Sequence, residues 1–422
     1  MKISNNRIKV TSMKALAEFF LYFSLVILSC LTAGCTSEVD TIGGTPETPE
    51  NPQANDPNRR SVVISLQNKL ILVNGTPESR AITRDGIAEE DENRIESFDI
   101  YAFGSDKEEG PYTFQEHFAY RSDVGTLPTG VSPIDLKADE AAGKINVVFY
   151  PRKGLFTKFY CVANQTEMND AAGNIYTNYT PLQQSSQTQS GVPGDMVTSP
   201  GTPTESDFLK LNTPLLNSTG FNADILLAPL PMSGANSQPT DLREYSMGTY
   251  VRLNVSLTRA VARFDIVNDA TKSHFTITDI SMGNGRQGVT LFPIRPTGDV
   301  PATNGQLITY PYRLFDGLNA NAGTTTKAFY CYPCKAIDAG FLILKGLYAM
   351  NLTDEKKEVS YRIPFERVTD GDGSLIEINH NHRYTVQITE ADPFELTANI
   401  RLVDWETGDY IDDYEPDNGL ET

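Results

Sequence analysis

An all-β fold, built as two tandem antiparallel β-sandwich units, is expected from three observations. Val62, Ile64, Leu66, Leu70 and Leu72 fall on even positions with Asn68 as the one gap, the period of a strand with a single buried face. Further runs of this kind recur along the chain, separated by turn-forming clusters of Gly, Pro, Asn and Asp, and 25 Pro with 31 Gly in 422 residues leave little room for long helices. Residues 61–422 are too many for one ordinary domain and suit two.

Ahead of the folded part, Lys2, Arg7, Lys9 and Lys14 precede an apolar run over residues 15–31 whose one charge is Glu18. The run closes on Leu31, Thr32, Ala33, Gly34 and Cys35. A basic start, a short apolar middle and small residues before a cysteine make residues 1–35 a secretory signal. The ending resembles the bacterial lipobox, which would place acyl chains on Cys35 and anchor the precursor in membrane lipid. The run is short for the ~20 residues that span a bilayer. Residues 36–60, with Pro46, Pro49, Pro52 and Pro57 among polar residues, read as a disordered tether.

The first unit is expected over residues 61–245. Its opening strand covers residues 61–72 and is followed by a polar, exposed segment holding Arg80, Arg84 and Arg94 among Glu89, Glu90, Asp91 and Glu92. Strand-like runs follow at 94–103, 112–120, 144–150 and 155–163. A polar loop then extends from 164 to 206, with a short helix around 203–209, and an edge strand at 225–232 carries Pro229 and Pro231. The second unit is expected over residues 246–422. It opens with Val251, Leu253, Val255 and Leu257 in alternation and closes on Phe394, Leu396, Ala398, Ile400 and Leu402, again on one face. After Trp405 the chain turns acidic.

Little in the sequence points to catalysis. Cys331 and Cys334 have redox spacing, but they follow a strand-like run in which residues three apart face opposite ways. His380 and His382 would share a strand face, yet no third ligand accompanies them. Asp370 and Asp372 sit in a Gly-rich turn without the remaining ligands of a calcium loop. No cofactor, metal or enzymatic activity is therefore expected. A formal net charge of −19 argues against nucleic acid as a partner.

The order of several segments resembles the fimbrillin family, the subunits of type V pili of Bacteroides-like bacteria. The segments are the Cys35 lipobox, residues 95–103, residues 159–164 ending in Ala163-Asn164, residues 230–234, residues 257–263, and residues 378–388 with Val403, Asp404 and Trp405 after them. The resemblance implies transthyretin-like sandwich topology and export to the outer membrane as a lipoprotein precursor. It also implies cleavage by an arginine-specific protease, after Arg84 or else Arg80. Removal of residues 61–84 would open a groove that a strand of another pilin subunit fills, giving a cell-surface fimbrium for adhesion or biofilm. Residues 394–402 are the candidate donor strand. The alternatives are a tip or anchor pilin, or a surface lipoprotein that binds a glycan or host protein without polymerising.

Overall fold

The computed structural model describes residues 52–66, 71–72, 90–123, 127–139, 144–170, 175–177, 204–217, 223–236, 238–243, 250–292, 303–315, 321–351, 354–365, 375–403 and 405. The chain divides into residues 1–50 and a compact unit over residues 51–422, and every described residue belongs to the second.

The fold is all-β, with two sandwiches along the chain. The principal strands of the first are β1 (Val62–Leu66), β2 (Ser97–Ser105), β3 (Thr113–Arg121), β4 (Asp135–Asp139), β5 (Lys144–Phe149), β6 (Phe156–Ala163), β7 (Met232–Ala235) and β8 (Val251–Val255). Those of the second are β9 (Ala262–Asp269), β10 (Phe275–Gly283), β11 (Ala322–Cys331), β12 (Phe341–Tyr348), β13 (Lys357–Pro364), β14 (Arg383–Ala391) and β15 (Leu396–Val403). In the first sandwich, one sheet has the order β8-β1-β5-β4 and the other runs through β7-β6-β2-β3, flanked by Thr258–Arg259 and Val131–Pro133. In the second, β11-β9-β14-β15 forms one sheet, and Arg313–Leu314 with β10-β12-β13 forms the other.

Alternation in the sequence becomes burial in the sandwich. β1 buries Val62, Ile64 and Leu66 completely, and β5 turns Ile145, Val147 and Phe149 into the same core. Phe149 lies between Phe118 and Phe159, with ring centroids 5.1 Å and 5.2 Å away. β2 is buried at every position because its outer face is also covered. Tyr101, Phe103, Phe114 and Tyr160 pack there against Phe208, Leu291 and Phe292. That explains why the run from Ile100 to Phe103 stops alternating: a strand covered on both faces has no solvent side to mark. Phe208 belongs to a single helical turn, Glu205–Phe208, whose N-cap Thr204 accepts from the amide of Asp207.

Several expectations differ from the structure. The sheets are mixed, since β1 pairs with β8 and β9 with β14 in parallel. Of the strand expected over 61–72, Val62–Leu66 forms β1 while Ile71–Leu72 pairs, in parallel, with Arg94–Ile95; residues 67–70, Leu70 among them, lie outside the described residues. β8, assigned by its alternation to the second unit, is the neighbour of β1, and its Val255 enters the first core. Residues 225–231 form no strand; only Met232–Ala235 does. The tether expected through residue 60 is folded from residue 52, where Pro52–Asn55 makes a 3-10 turn and Arg60 donates its amide to the Pro151 carbonyl at 2.9 Å. An ion pair made by Arg59 holds that segment down, which composition alone does not convey.

Candidate functional site

The first strand lies in an interior position, hydrogen-bonded on both sides. Its register pairs Val62 with Phe149 and Leu66 with Ile145 on the antiparallel side, and Val62 with Val251 and Leu66 with Val255 on the parallel side. Ser65 Oγ donates to Asn146 Oδ1 at 2.6 Å on the outward face. Burial of three aliphatic side chains is worth roughly 5–9 kcal/mol gross, an upper figure because unfolded chains are partly compact.

The ladder continues upstream of the strand through an Arg59–Arg152 bridge. Arg59 Nη1 donates to Glu116 Oε1 at 2.8 Å and to the Tyr150 carbonyl at 2.6 Å. The two ionic side chains are 12% and 11% exposed, so this arginine is tied into the sandwich. Cys35, Arg80 and Arg84 lie outside the described residues, and of Leu72 the backbone alone is described.

The candidate donor residues are only partly brought together. β15 begins at Leu396; Phe394 precedes it and is 89% exposed. Leu396, Ala398 and Ile400 are partly buried against the second core, and Leu402 is buried within it. β15 occupies a sheet edge, paired with β14 from Arg383–Val403 to Ala391–Leu396.

A feature missed in the sequence lies just downstream of the expected cleavage loop. Residues 90–93 read as exposed and acidic, but they form a 3-10 turn in which Glu92 and Asn93 are buried. Glu92 accepts from Arg263 Nη1 at 2.7 Å, Tyr330 OH at 2.6 Å and Trp405 Nε1 at 3.3 Å. Arg263 also donates from Nε to Asp265 Oδ1 at 2.7 Å. Burial would lower the Arg263 pKa, but Asp265 and Glu92 outweigh it and raise it. Beside this pair, Arg259 Nη2 donates to Asn93 Oδ1 at 2.6 Å, and its guanidinium carbon lies 4.9 Å from the Trp405 ring centroid. The cluster joins the entry to β2, strands β9 and β11, and the residue beyond β15. Two arginines in the otherwise apolar run over 259–264 were the available signal, since a buried arginine requires partners.

The remaining reactive groups are enclosed. Cys161, Cys331 and Cys334 are free and buried, and burial raises all three thiol pKa values, that of Cys334 to about 12. Protein lacking residues 1–35, and with them Cys30 and Cys35, should therefore resist a chromogenic disulfide reagent at pH 8 while native and release thiol signal only in urea; rapid native labelling would contradict this. His117 Nε2 lies 2.7 Å from Asp99 Oδ1, and Arg121 holds the same carboxylate at 2.8 Å. His117 stacks on Tyr101 at 4.4 Å, within the sheet. Among the described residues no three His, Cys, Asp or Glu side chains gather as a metal site.

His380 is 7% exposed, and burial, then His382, lower its pKa to about 4. Its folded-state pKa lies below the unfolded value, so its contribution is complete above pH ~6.5 and is lost as pH falls toward 4. Between pH 7 and pH 5 the loss should reach about 2 kcal/mol. Urea midpoints at pH 7, 6 and 5 should fall more steeply for the parent than for His380→Asn, and parallel slopes would refute this.

No protein-family description matches the chain, and no curated protein matches it in sequence. Its structure is similar to the tip fimbrial protein Mfa3 from Porphyromonas gingivalis, at 13% identity and a TM-score of 0.44, over 82% of this chain and 100% of that one. It is similar to a fimbrial assembly protein from Parabacteroides distasonis at 14% identity and a TM-score of 0.41, over 82% and 96%. A third similar structure is the fimbrial anchor protein Mfa2 from Porphyromonas gingivalis, at 9% identity and a TM-score of 0.32, over 84% and 99%.

Proposed function

We propose that this chain is a surface fimbrial subunit, exported as a lipoprotein through Cys35, released by an arginine-specific protease and joined to other subunits by strand exchange. The placement of β1 carries this reading. It is an interior strand with three buried side chains, and residues 73–89 downstream hold Arg80 and Arg84 among polar residues. Cleavage there would leave the segment without a covalent link to the rest of the sandwich, held by the pairings of β1 and of Ile71–Leu72 and by the contacts of Arg59. Its departure would strip β8 of its strand neighbour and expose the edge of β5. Adding another chain's strand satisfies both edges and the core.

Limited trypsin digestion of the native protein tests the proposal. A first cut after Arg84 or Arg80 is expected, before any at Arg59, followed by oligomers on size exclusion. A resistant loop, or a cut chain that stays monomeric and as stable as the uncut one, would remove the basis for polymerisation.

One observation favours a second reading within the same assembly. Lending β15 to a neighbour would withdraw Leu402 from the core and Trp405 from Glu92. Retention of β15 suits a subunit that receives a strand without giving this one, at a tip or an anchor. A disulfide engineered between β14 and β15 distinguishes the readings. It abolishes assembly if β15 is donated and leaves it unchanged if β15 is retained.

A further inference from the structure

The end of the groove where β1 begins is charged. Arg59 Nη1 is held by two acceptors at once, Glu116 Oε1 and the Tyr150 carbonyl. The second Glu116 oxygen accepts from the Arg152 amide at 2.8 Å, which fixes the carboxylate in place. Arg152 Nε is 3.8 Å from Glu116 Oε1, and Asp56 is 3.6 Å from Arg59 Nε. Glu116 belongs to β3 and Tyr150 follows β5, both downstream of the expected cut, whereas Arg59 and Asp56 precede β1. Loss of the segment ending at Arg84 or Arg80 would therefore carry away the arginine and leave its acceptors.

Backbone bonding cannot choose the direction of a replacement strand. β1 is antiparallel to β5 and parallel to β8, so β5 and β8 run opposite ways across the groove. A strand entering in either direction makes one parallel and one antiparallel edge. The inward side chains Val62, Ile64 and Leu66 are all aliphatic and evenly spaced, and they distinguish the two directions weakly. The Glu116 carboxylate marks one end.

We infer that Glu116 and the Tyr150 carbonyl form a subsite for a guanidinium or ammonium group on the incoming strand of another subunit. That strand carries an Arg or Lys three residues ahead of the first of three alternating apolar residues, in the spacing of Arg59 to Val62, Ile64 and Leu66. The subsite selects both the partner and the direction in which it enters. This inference rests on the strand-exchange reading, and it adds a charge requirement that burial alone does not impose.

Fluorescence anisotropy with labelled synthetic peptides provides the test. The protein is cut at the loop and stripped of the released segment, and peptides with the sequence of residues 57–72 are added in native, Arg59→Gln and Ile64→Asp forms. The native peptide is expected to bind, the Ile64→Asp peptide to fail, and the Arg59→Gln peptide to bind roughly tenfold more weakly or worse. Glu116→Gln protein should bind the native and Arg59→Gln peptides alike. Equal affinity of these two peptides for the unaltered protein overturns the subsite while leaving strand exchange intact. Failure of every peptide overturns strand exchange and the subsite with it. The peptide comparison on unaltered protein stands even if Glu116→Gln does not fold.

Discussion

Arg263→Met should cost about 3–5 kcal/mol of stability, because it withdraws the guanidinium from two buried carboxylates, Glu92 and Asp265, of which Asp265 keeps only Arg383 Nε, at 3.6 Å, among the ion pairs of the described residues. Glu92 and Asp265 both lie against the guanidinium, and both are buried. Methionine fills much of the arginine stem's volume, so the loss reports on charge rather than on a cavity. Urea denaturation followed by tryptophan fluorescence suits the measurement, as Trp405 is the one tryptophan in the chain and sits on the cluster. A double-mutant cycle with Glu92→Gln should give a coupling of about 1–3 kcal/mol. A single-mutant loss below about 1 kcal/mol would mean that the cluster is solvated or readily rearranged.

Removing β1 without supplying a substitute should have the other large effect. Its gross burial, roughly 5–9 kcal/mol, rivals the 5–15 kcal/mol by which a whole domain is stable. The damage is local in architecture. β1 alone connects β8 to β5 and β4 in the four-stranded sheet, whereas the core of the second sandwich draws on none of its residues. Hydrogen exchange on protein cut at the loop and stripped of the released segment should show lost protection in β4, β5 and β8, with β9, β12 and β14 still protected. Uniform loss across the chain would show that the two sandwiches unfold as one.

How much of this was legible in the sequence depends on whether a residue's fate is set locally. β1 could be read because alternate burial leaves a period-two pattern, and the three residues nearest its start behave as that pattern requires. Leu72 kept the parity but joined a different pairing, since parity does not tell where a ladder ends. β8 was recognisable as a strand, yet its unit was not, because strand pairing across long separation is invisible to periodicity. The acidic turn at Glu92 misled for a definite reason. Charged runs are usually solvated, and a buried carboxylate is signalled only by its partners, here Arg263, Tyr330 and Trp405, far along the chain. The ion pair of Arg59 escaped notice likewise, because its tether-like neighbours give no hint of Glu116.

The Glu92–Trp405 hydrogen bond joins residues 313 positions apart, which has a consequence for the order of folding. Loop-closure entropy grows only logarithmically with separation, so such a contact adds little to equilibrium cost. In time, however, contacts of high sequence separation form late. Glu92, Arg263 and Tyr330 can meet once β9 and β11 have formed, but the indole arrives only after β15 has docked. A refolding experiment should therefore record the change in tryptophan emission as a late phase, after strand formation seen by far-ultraviolet dichroism. The junction would then serve as a timer, closing when the second sandwich is complete.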